Sequence, residues 1–133
     1  MKTYLGFIFI SIGLLLSSFH STHKAGTNID EIVVAIRLGN AAQLSRYFDS
    51  RVDISLPDKT DSYSRNQAEM VIRDFFSSIG VRNFEIKYKG ENNGSKYCIG
   101  TLKTRNGDYR TKLFMKQKES KQVLQEIAFQ TVE

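Results

Sequence analysis

One segment of this chain, SRNQAEMVIRDFFSSI from Ser64 to Ile79, constrains the fold more than any other. Ser64 and Gln67 have the spacing of a capping box, apolar residues then recur with helical periodicity, and Gly80 is suited to end the helix. The later segments instead show the alternation and turn residues of β-strands. This order predicts an α+β domain in which N-terminal helices pack on an antiparallel meander.

Two shorter helices and a strand are predicted before that segment. Residues 27–39 have capping and acidic residues at the start and apolar residues at helical spacing. Asn40 then caps a second, shorter helix. From Arg51 to Leu56 the apolar period changes to two, which indicates a strand. The polar residues Asp58 to Tyr63 predict a loop.

Four strands are predicted after the long helix. Asn106 and Gly107 are the favoured pair for a two-residue type I′ turn, and they predict a hairpin between the second and third of these strands. The Gly90 to Gly94 segment predicts a loop before the second strand. The strands are Phe84 to Lys89, Tyr97 to Thr104, Tyr109 to Lys116 and Val123 to Val132.

The hairpin separates its side chains onto two faces. A two-residue turn sets Lys103 opposite Arg110, and Thr101 opposite Lys112. The first face is mostly apolar, and we expect it to be uncovered, which would suit homodimerisation. Helices are expected to cover the base of the second face and to leave its cationic tip in solvent. The first face carries Cys98, Gly100, Leu102, Tyr109, Leu113 and Met115, and the second carries Tyr97, Ile99, Phe114, Lys103, Arg110 and Lys112.

The N-terminus has the layout of a secretory signal. Lys2 precedes an apolar run from Tyr4 to Leu16, and a polar segment follows. The run is shorter than the roughly 20 residues that a membrane span needs, so we expect no stable span after removal of the leader. The sequence predicts a signal peptide at residues 1–25, with an uncleaved anchor as the alternative, and export to the periplasm or cell envelope. Because the single cysteine is Cys98, we expect no lipoprotein anchor.

Residues 26–133 form one predicted domain. A single cysteine cannot cross-link its own chain, and Cys98 is interpreted as a small buried hydrophobe. Removal of Lys2 and Lys24 lowers the formal net charge from +5 to +3 (5 − 2 = 3), and the surplus forms no continuous patch, so no nucleic-acid partner is expected. Both histidines lie at the leader boundary, and we expect no metal site and no cofactor.

The chain resembles a bacterial family of secreted domains of unknown function, number 4783. This resemblance implies the nuclear transport factor 2-like fold, also called the cystatin-like fold. In that fold a curved sheet wraps around helices to form a cone. The resemblance covers nearly all of residues 26–133 and implies no activity. The residues that carry it are Gly39-Asn40, Tyr47 to Asp49, the strand Val52 to Pro57, Arg65 to Phe76, and Lys96 to Leu102 with Ile99-Gly100-Thr101.

The wider fold also includes enzymes similar to ketosteroid isomerases and dehydratases, which work from a pocket under the sheet. That resemblance makes Tyr47, Asp53, Tyr63 and Tyr97 the candidate pocket residues of an isomerase-like enzyme, the first alternative function. Each also has a structural interpretation: Asp53 as an outward strand residue, the others as packing aromatics. Fold analogy assigns no catalytic residue.

Four cations near the hairpin turn, Lys103, Arg105, Arg110 and Lys112, are candidate contacts for anionic envelope polymers, the second alternative function. They are equally compatible with a solvated hairpin end that discourages edge pairing. The leading hypothesis is an exported, non-catalytic interaction domain. It would bind a small ligand or an envelope protein through the sheet or its pocket, and would dimerise through the open sheet face.

Overall fold

The computed structural model describes residues 28–132, and the predicted leader therefore lies outside the described residues. Three helices precede or interrupt the first strands, and four strands follow the longest helix. The elements are α1 (Asn28–Arg37), α2 (Ala41–Ser45), β1 (Phe48–Leu56), β2 (Lys59–Ser64), α3 (Arg65–Ile79), β3 (Val81–Asn92), β4 (Ser95–Thr104), β5 (Gly107–Lys118) and β6 (Lys121–Thr131).

The end of α1, the start of α2 and both ends of α3 lie where the sequence predicts them. Gly39, with a φ of +63°, ends α1 in the left-handed region, and the side chain of Asn40 accepts a hydrogen bond of 3.0 Å from the Gln43 amide at the start of α2. Ser64 caps α3 through the Gln67 amide, and Gly80 closes it with a φ of +66°. The buried stripe of α3 is Ala68, Ile72, Phe76 and Ile79.

The prediction of a loop from Asp58 to Tyr63 is wrong. Residues Lys59–Ser64 form β2, which pairs with β1 in an antiparallel hairpin. Most of β2 is exposed because it is an edge strand, so its residues lack the apolar alternation by which a half-buried strand is recognised.

The six strands form one sheet in the order β2-β1-β6-β5-β4-β3. All neighbours are antiparallel except β1 and β6, which run parallel, a pairing that the sequence did not predict. The sheet is curved, and the helices pack against it. The α+β architecture with N-terminal helices on a curved sheet is therefore confirmed.

The hairpin turns differ from the predicted ones. No loop runs from Gly90 to Gly94, because β3 extends to Asn92. The two-residue turn Asn93–Gly94 follows, and both of its residues have positive φ, as a type I′ turn requires. At Asn106–Gly107 only the glycine has a positive φ, +97°, so the predicted type I′ turn there is wrong.

The register of that second hairpin is shifted by two residues from the predicted one. Thr104 pairs with Gly107, Lys103 lies opposite Asp108 rather than Arg110, and Arg110 lies opposite Thr101. Because the shift is an even number, each side chain keeps its predicted face.

The covered face of the sheet is the opposite of the expected one. Cys98, Leu102, Leu113 and Met115, predicted to be uncovered, are fully buried in one core cluster with helical residues such as Ile36. The helices cover this face because it offers a continuous apolar surface, whereas the other face carries charges. The apolar face predicted to be open is therefore covered, and the open face is the one with Tyr97, Ile99 and Phe114.

Candidate functional site

Aromatic side chains fill the space between α3 and the sheet, where the isomerase-like alternative predicts a pocket. The Phe129 ring lies 4.8 Å from Phe75 and 6.0 Å from Phe76, and Phe75 meets Tyr109 edge to face at 5.5 Å. Phe84 is fully buried beside them. Ile99 and Phe114, which were expected to face inward, lie on the open face instead.

The four candidate pocket residues are not brought together. Asp53 is exposed on the open face of β1, opposite Glu126 of β6. Tyr97 is half-buried on the open face of β4. Tyr63 lies on β2 beside α3, and Tyr47 lies in the connection between α2 and β1. The four side chains therefore lie on different elements of the fold, and Tyr63 is the one that lines a groove described below.

Tyr47 has a structural partner. Its hydroxyl donates a hydrogen bond to the Glu31 carboxylate of α1. Burial and this hydrogen bond raise the pKa of Tyr47 to about 12. The phenol therefore stays protonated at neutral pH and ties α1 to the start of β1, since its proton is committed to Glu31.

Two of the four candidate anion contacts have a carboxylate partner within the described residues. Lys103 forms an ion pair of 2.8 Å with Asp108, and Lys112 lies 3.8 Å from Glu126. The Arg105 side chain lies across Gly80, where an added Cβ would be only 2.1 Å from its Nε. Arg110 is exposed, and no carboxylate among residues 28–132 lies within 4.0 Å of it.

The open face of the sheet presents half-exposed apolar side chains between charges of both signs. We call its central part the open-face patch, and it consists of three rows of side chains that cross β1, β6, β5, β4 and β3. None of its residues is buried. The open-face patch comprises Asp53, Ser55, Glu85, Tyr88, Tyr97, Ile99, Thr101, Arg110, Lys112, Phe114, Glu126, Ala128 and Gln130.

Two tyrosines form the aromatic corner of this patch. The rings of Tyr88 and Tyr97 lie 5.7 Å apart, and a hydrogen bond of 3.4 Å joins their hydroxyls. The Tyr97 ring lies directly over Gly90, because an added Cβ there would be 2.1 Å from its Cζ. Tyr88 remains 55% exposed, which is unusual for a large aromatic side chain with no covering element.

The sequence interpretation missed Tyr88 as a surface residue. Simple alternation places it on the same face as Phe84 and Ile86, but a register shift between Ile86 and Tyr88 moves it to the open face. Nothing in the local sequence marks this bulge. By contrast, Cys98 is buried, in agreement with its interpretation as a small hydrophobe, although its face of the sheet was expected to be open; burial raises the pKa of its thiol.

The described part of the chain has neither a metal-ligand cluster nor a membrane-spanning helix. Among residues 28–132, no three side chains of the metal-binding types converge on one point. The helices of that region are too short or too polar to cross a membrane.

The sequence profile of the DUF4783 family, a domain of unknown function, matches residues 29–130. The chain belongs to the DUF4783 family. A family member from Bacteroides fragilis is 31% identical in its crystal structure, with 77% of this chain and 96% of that chain covered and a TM-score of 0.74. Another, from Bacteroides uniformis, is 27% identical, with 78% and 96% covered and a TM-score of 0.76. No curated protein matches the chain.

More distant structures show the fold of DUF4783 alone. A domain of unknown function with a cystatin-like fold from Nostoc punctiforme is 9% identical, with 79% of this chain and 73% of that chain covered and a TM-score of 0.63. A nuclear transport factor 2-like protein of unknown function from Cytophaga hutchinsonii is 6% identical, with 76% and 83% covered and a TM-score of 0.56. The predicted family and fold are both confirmed.

Proposed function

We propose that this DUF4783 chain is an exported, non-catalytic interaction domain that self-associates through the open-face patch. One observation carries the proposal: aromatic side chains fill the space under the sheet, whereas apolar side chains on its outer face are not covered. Phe75, Phe76 and Phe129 occupy the space under the sheet, while Ile99 and Phe114 stand half-exposed on its outer face. Binding therefore has more apolar surface to gain outside the sheet than inside it.

Charge favours a second copy of the chain as the occupant. The acidic side chains Asp53 and Glu126 lie at the β1–β6 end of the patch, and the basic side chains Arg110 and Lys112 lie on β5. A two-fold axis presents the same patch on both copies, so the acidic residues Asp53 and Glu126 of one copy can face the basic residues Arg110 and Lys112 of the other. A polyanion would meet the repulsion of Asp53 and Glu126.

The size of the patch predicts a weak dimer. Five strands at about 4.8 Å spacing and three rows of alternating residues cover about 400 Å² of projected area. This area is smaller than the roughly 800 Å² per partner of a standard interface. We expect a dissociation constant in the micromolar range or above.

Export is part of the proposal and depends on residues 1–25. Lys2 followed by the apolar run Tyr4 to Leu16 is typical of a signal peptide, and Cys98, the single cysteine, lies far from that run. A fusion of residues 1–25 to a reporter enzyme that is active only in the periplasm tests this part. Reporter activity supports export, and activity no higher than that of a leaderless fusion contradicts it.

The two alternative functions have less support. An isomerase-like enzyme needs an acid or base that faces a cavity, whereas Asp53 faces solvent. A binder of anionic polymers needs free cations, whereas Lys103 is paired with Asp108 and Lys112 lies near Glu126. The interaction domain needs neither feature.

The location of the interface is tested by concentration-dependent NMR of the backbone amides. Dilution of the wild-type domain should shift amides of the open-face patch, such as those of Tyr97, Ile99 and Phe114, and leave those of α1 unchanged. Phe114→Lys should remove the dilution dependence. Leu38→Lys is the matched control, because Leu38 is 68% exposed on the helical side. Dilution shifts confined to the helices would overturn the proposed surface.

A further inference from the structure

A groove of about 430 Å³ lies between the edge strand β2 and the long helix α3, away from the open-face patch. Its walls come from elements that are adjacent in sequence, since α3 follows β2 directly. Apolar side chains form its floor and carboxylates stand at its rim. The groove is lined by Asp61, Tyr63, Gln67, Met70, Val71 and Asp74.

The sequence of α3 builds this groove beside its core-facing stripe. Gln67, Met70, Val71 and Asp74 recur at spacings of three and four, so they share one flank of the helix. Met70 is 61% exposed, and Val71 is half-buried. An exposed methionine provides an adaptable apolar contact, which suits binding of a flexible side chain.

The charges of the groove select a cation. Asp61 and Asp74 carry carboxylates, and no lysine or arginine among the described residues lines the groove. Asp74 forms no ion pair within residues 28–132. The groove is therefore acidic, although the chain as a whole has a formal net charge of +5.

The aromatic wall of the groove already attracts an ammonium group. Lys59 places its Nζ 5.9 Å from the centre of the Tyr63 ring, within the range of a cation–π contact. A lysine or arginine of a partner gains the same attraction only by displacing Lys59 from this ring.

Backbone pairing to the edge of β2 is hindered at Ser62, which favours recognition through side chains. The Ser62 amide donates to Asp61 Oδ1 at 2.8 Å, and the Ser62 carbonyl accepts from Arg51 Nη2 at 3.2 Å. A strand added at Ser62 would have to displace both hydrogen bonds.

We propose that this groove binds a lysine- or arginine-bearing segment of a partner polypeptide. The aliphatic stem of the cationic side chain lies on Met70 and Val71, and its charged end lies between Asp61, Asp74 and the Tyr63 ring. A long cationic side chain suits such a site because it buries its methylene groups while its charge stays partly hydrated. The site is independent of self-association through the open-face patch.

The probe is a fluorescein-labelled peptide of four Leu-Lys repeats, and fluorescence anisotropy measures its binding to the mature domain. The peptide of four Leu-Glu repeats should not bind. Asp74→Lys should weaken binding of the Leu-Lys peptide at least fivefold. Asp58→Lys is the matched control, because Asp58 is an exposed carboxylate of the neighbouring turn that does not line the groove, and it should weaken binding less than twofold.

Two further variants make the result specific. Met70→Asn keeps the charge and removes the apolar floor, and it should weaken binding about threefold. Phe114→Lys changes the open-face patch and should leave peptide binding unchanged. Failure of the groove proposal can therefore be distinguished from failure of the self-association proposal. Equal loss in Asp74→Lys and Asp58→Lys would show non-specific attraction to the surface and would overturn the groove proposal, as would the absence of binding to the wild-type domain.

Discussion

Substitution of Gly100 by alanine tests the packing of the sheet most sharply. Gly100 lies on the helix-covered side of β4, where an added Cβ would stand 2.5 Å from Phe84 Cζ and 2.6 Å from the backbone oxygen of Glu85. The phenylalanine ring can shift, but the Glu85 carbonyl belongs to the β3–β4 ladder and cannot. The substitution must therefore separate the strands or displace the ring.

The expected cost follows from two opposing terms. Overpacking of a close-packed core costs about 1–3 kcal/mol, and replacement of a strand glycine by alanine returns about 0.5–1 kcal/mol of backbone entropy. We expect Gly100→Ala to lower the free energy of unfolding by about 1–2 kcal/mol, measured by urea denaturation monitored by circular dichroism. For a domain of this size, the thermal midpoint should fall by about 5–10 °C.

A second substitution distinguishes the effect of the Phe84 ring from the effect of the Glu85 carbonyl. Phe84→Leu shortens the side chain over Gly100, so the double variant should be more stable than the sum of the single effects predicts, by at least about 0.5 kcal/mol. Gly94→Ala is the control, since its nearest contact is 4.0 Å away and its φ of +81° alone opposes alanine. Additive effects in Gly100→Ala/Phe84→Leu, or wild-type stability of Gly100→Ala, would refute the packing argument.

Three further predictions concern single residues. Burial opposes ionisation of Asp49, but hydrogen bonds from Lys118, Gln125 and the Ser50 amide outweigh it and hold the pKa of Asp49 below its ordinary value of 3.8. Asp49→Asn should therefore lower the free energy of unfolding by about 1–2 kcal/mol at pH 7. Because the folded pKa is the lower one, this difference should be complete above about pH 5 and should be lost as the pH falls through the folded pKa, as urea titrations at several pH values will show. The Cys98 thiol should react with a maleimide only on unfolding, and fast labelling of the native domain would contradict its burial. Ser64→Ala should lower the free energy of unfolding by about 1 kcal/mol through loss of the α3 cap, whereas Ser77→Ala, on the exposed side of the same helix, should be neutral.

Local signals in the sequence were sufficient for the helices. The caps Asn40 and Ser64 and the terminating glycines Gly39 and Gly80 define helix ends by short-range hydrogen bonds and backbone conformation, which neighbouring residues determine. The prediction of a helical start followed by a strand meander, and the family resemblance, were correct for the same reason.

Features that depend on distant partners were not predictable. The strand β2 is polar because it lies at the sheet edge, and the bulge near Ile86 moves Tyr88 to the open face without a local marker. The choice of covered face was wrong because alternation separates two faces but does not say which one the helices take. As a result, Tyr97 was placed on a face that the helices were expected to cover but lies on the open face, whereas Asp53 faces outward, as its structural interpretation predicted.

The central claim is that two copies of the chain associate through the open-face patch, and sedimentation equilibrium of the mature domain tests it most directly. The measurement compares wild type with Phe114→Lys and Leu38→Lys from about 1 to about 100 μM, the range in which a weak dimer dissociates. The account predicts that the average mass of wild type and Leu38→Lys rises towards that of a dimer, while Phe114→Lys stays monomeric. A wild-type domain that remains monomeric throughout, or a Phe114→Lys variant that associates like wild type, would contradict it.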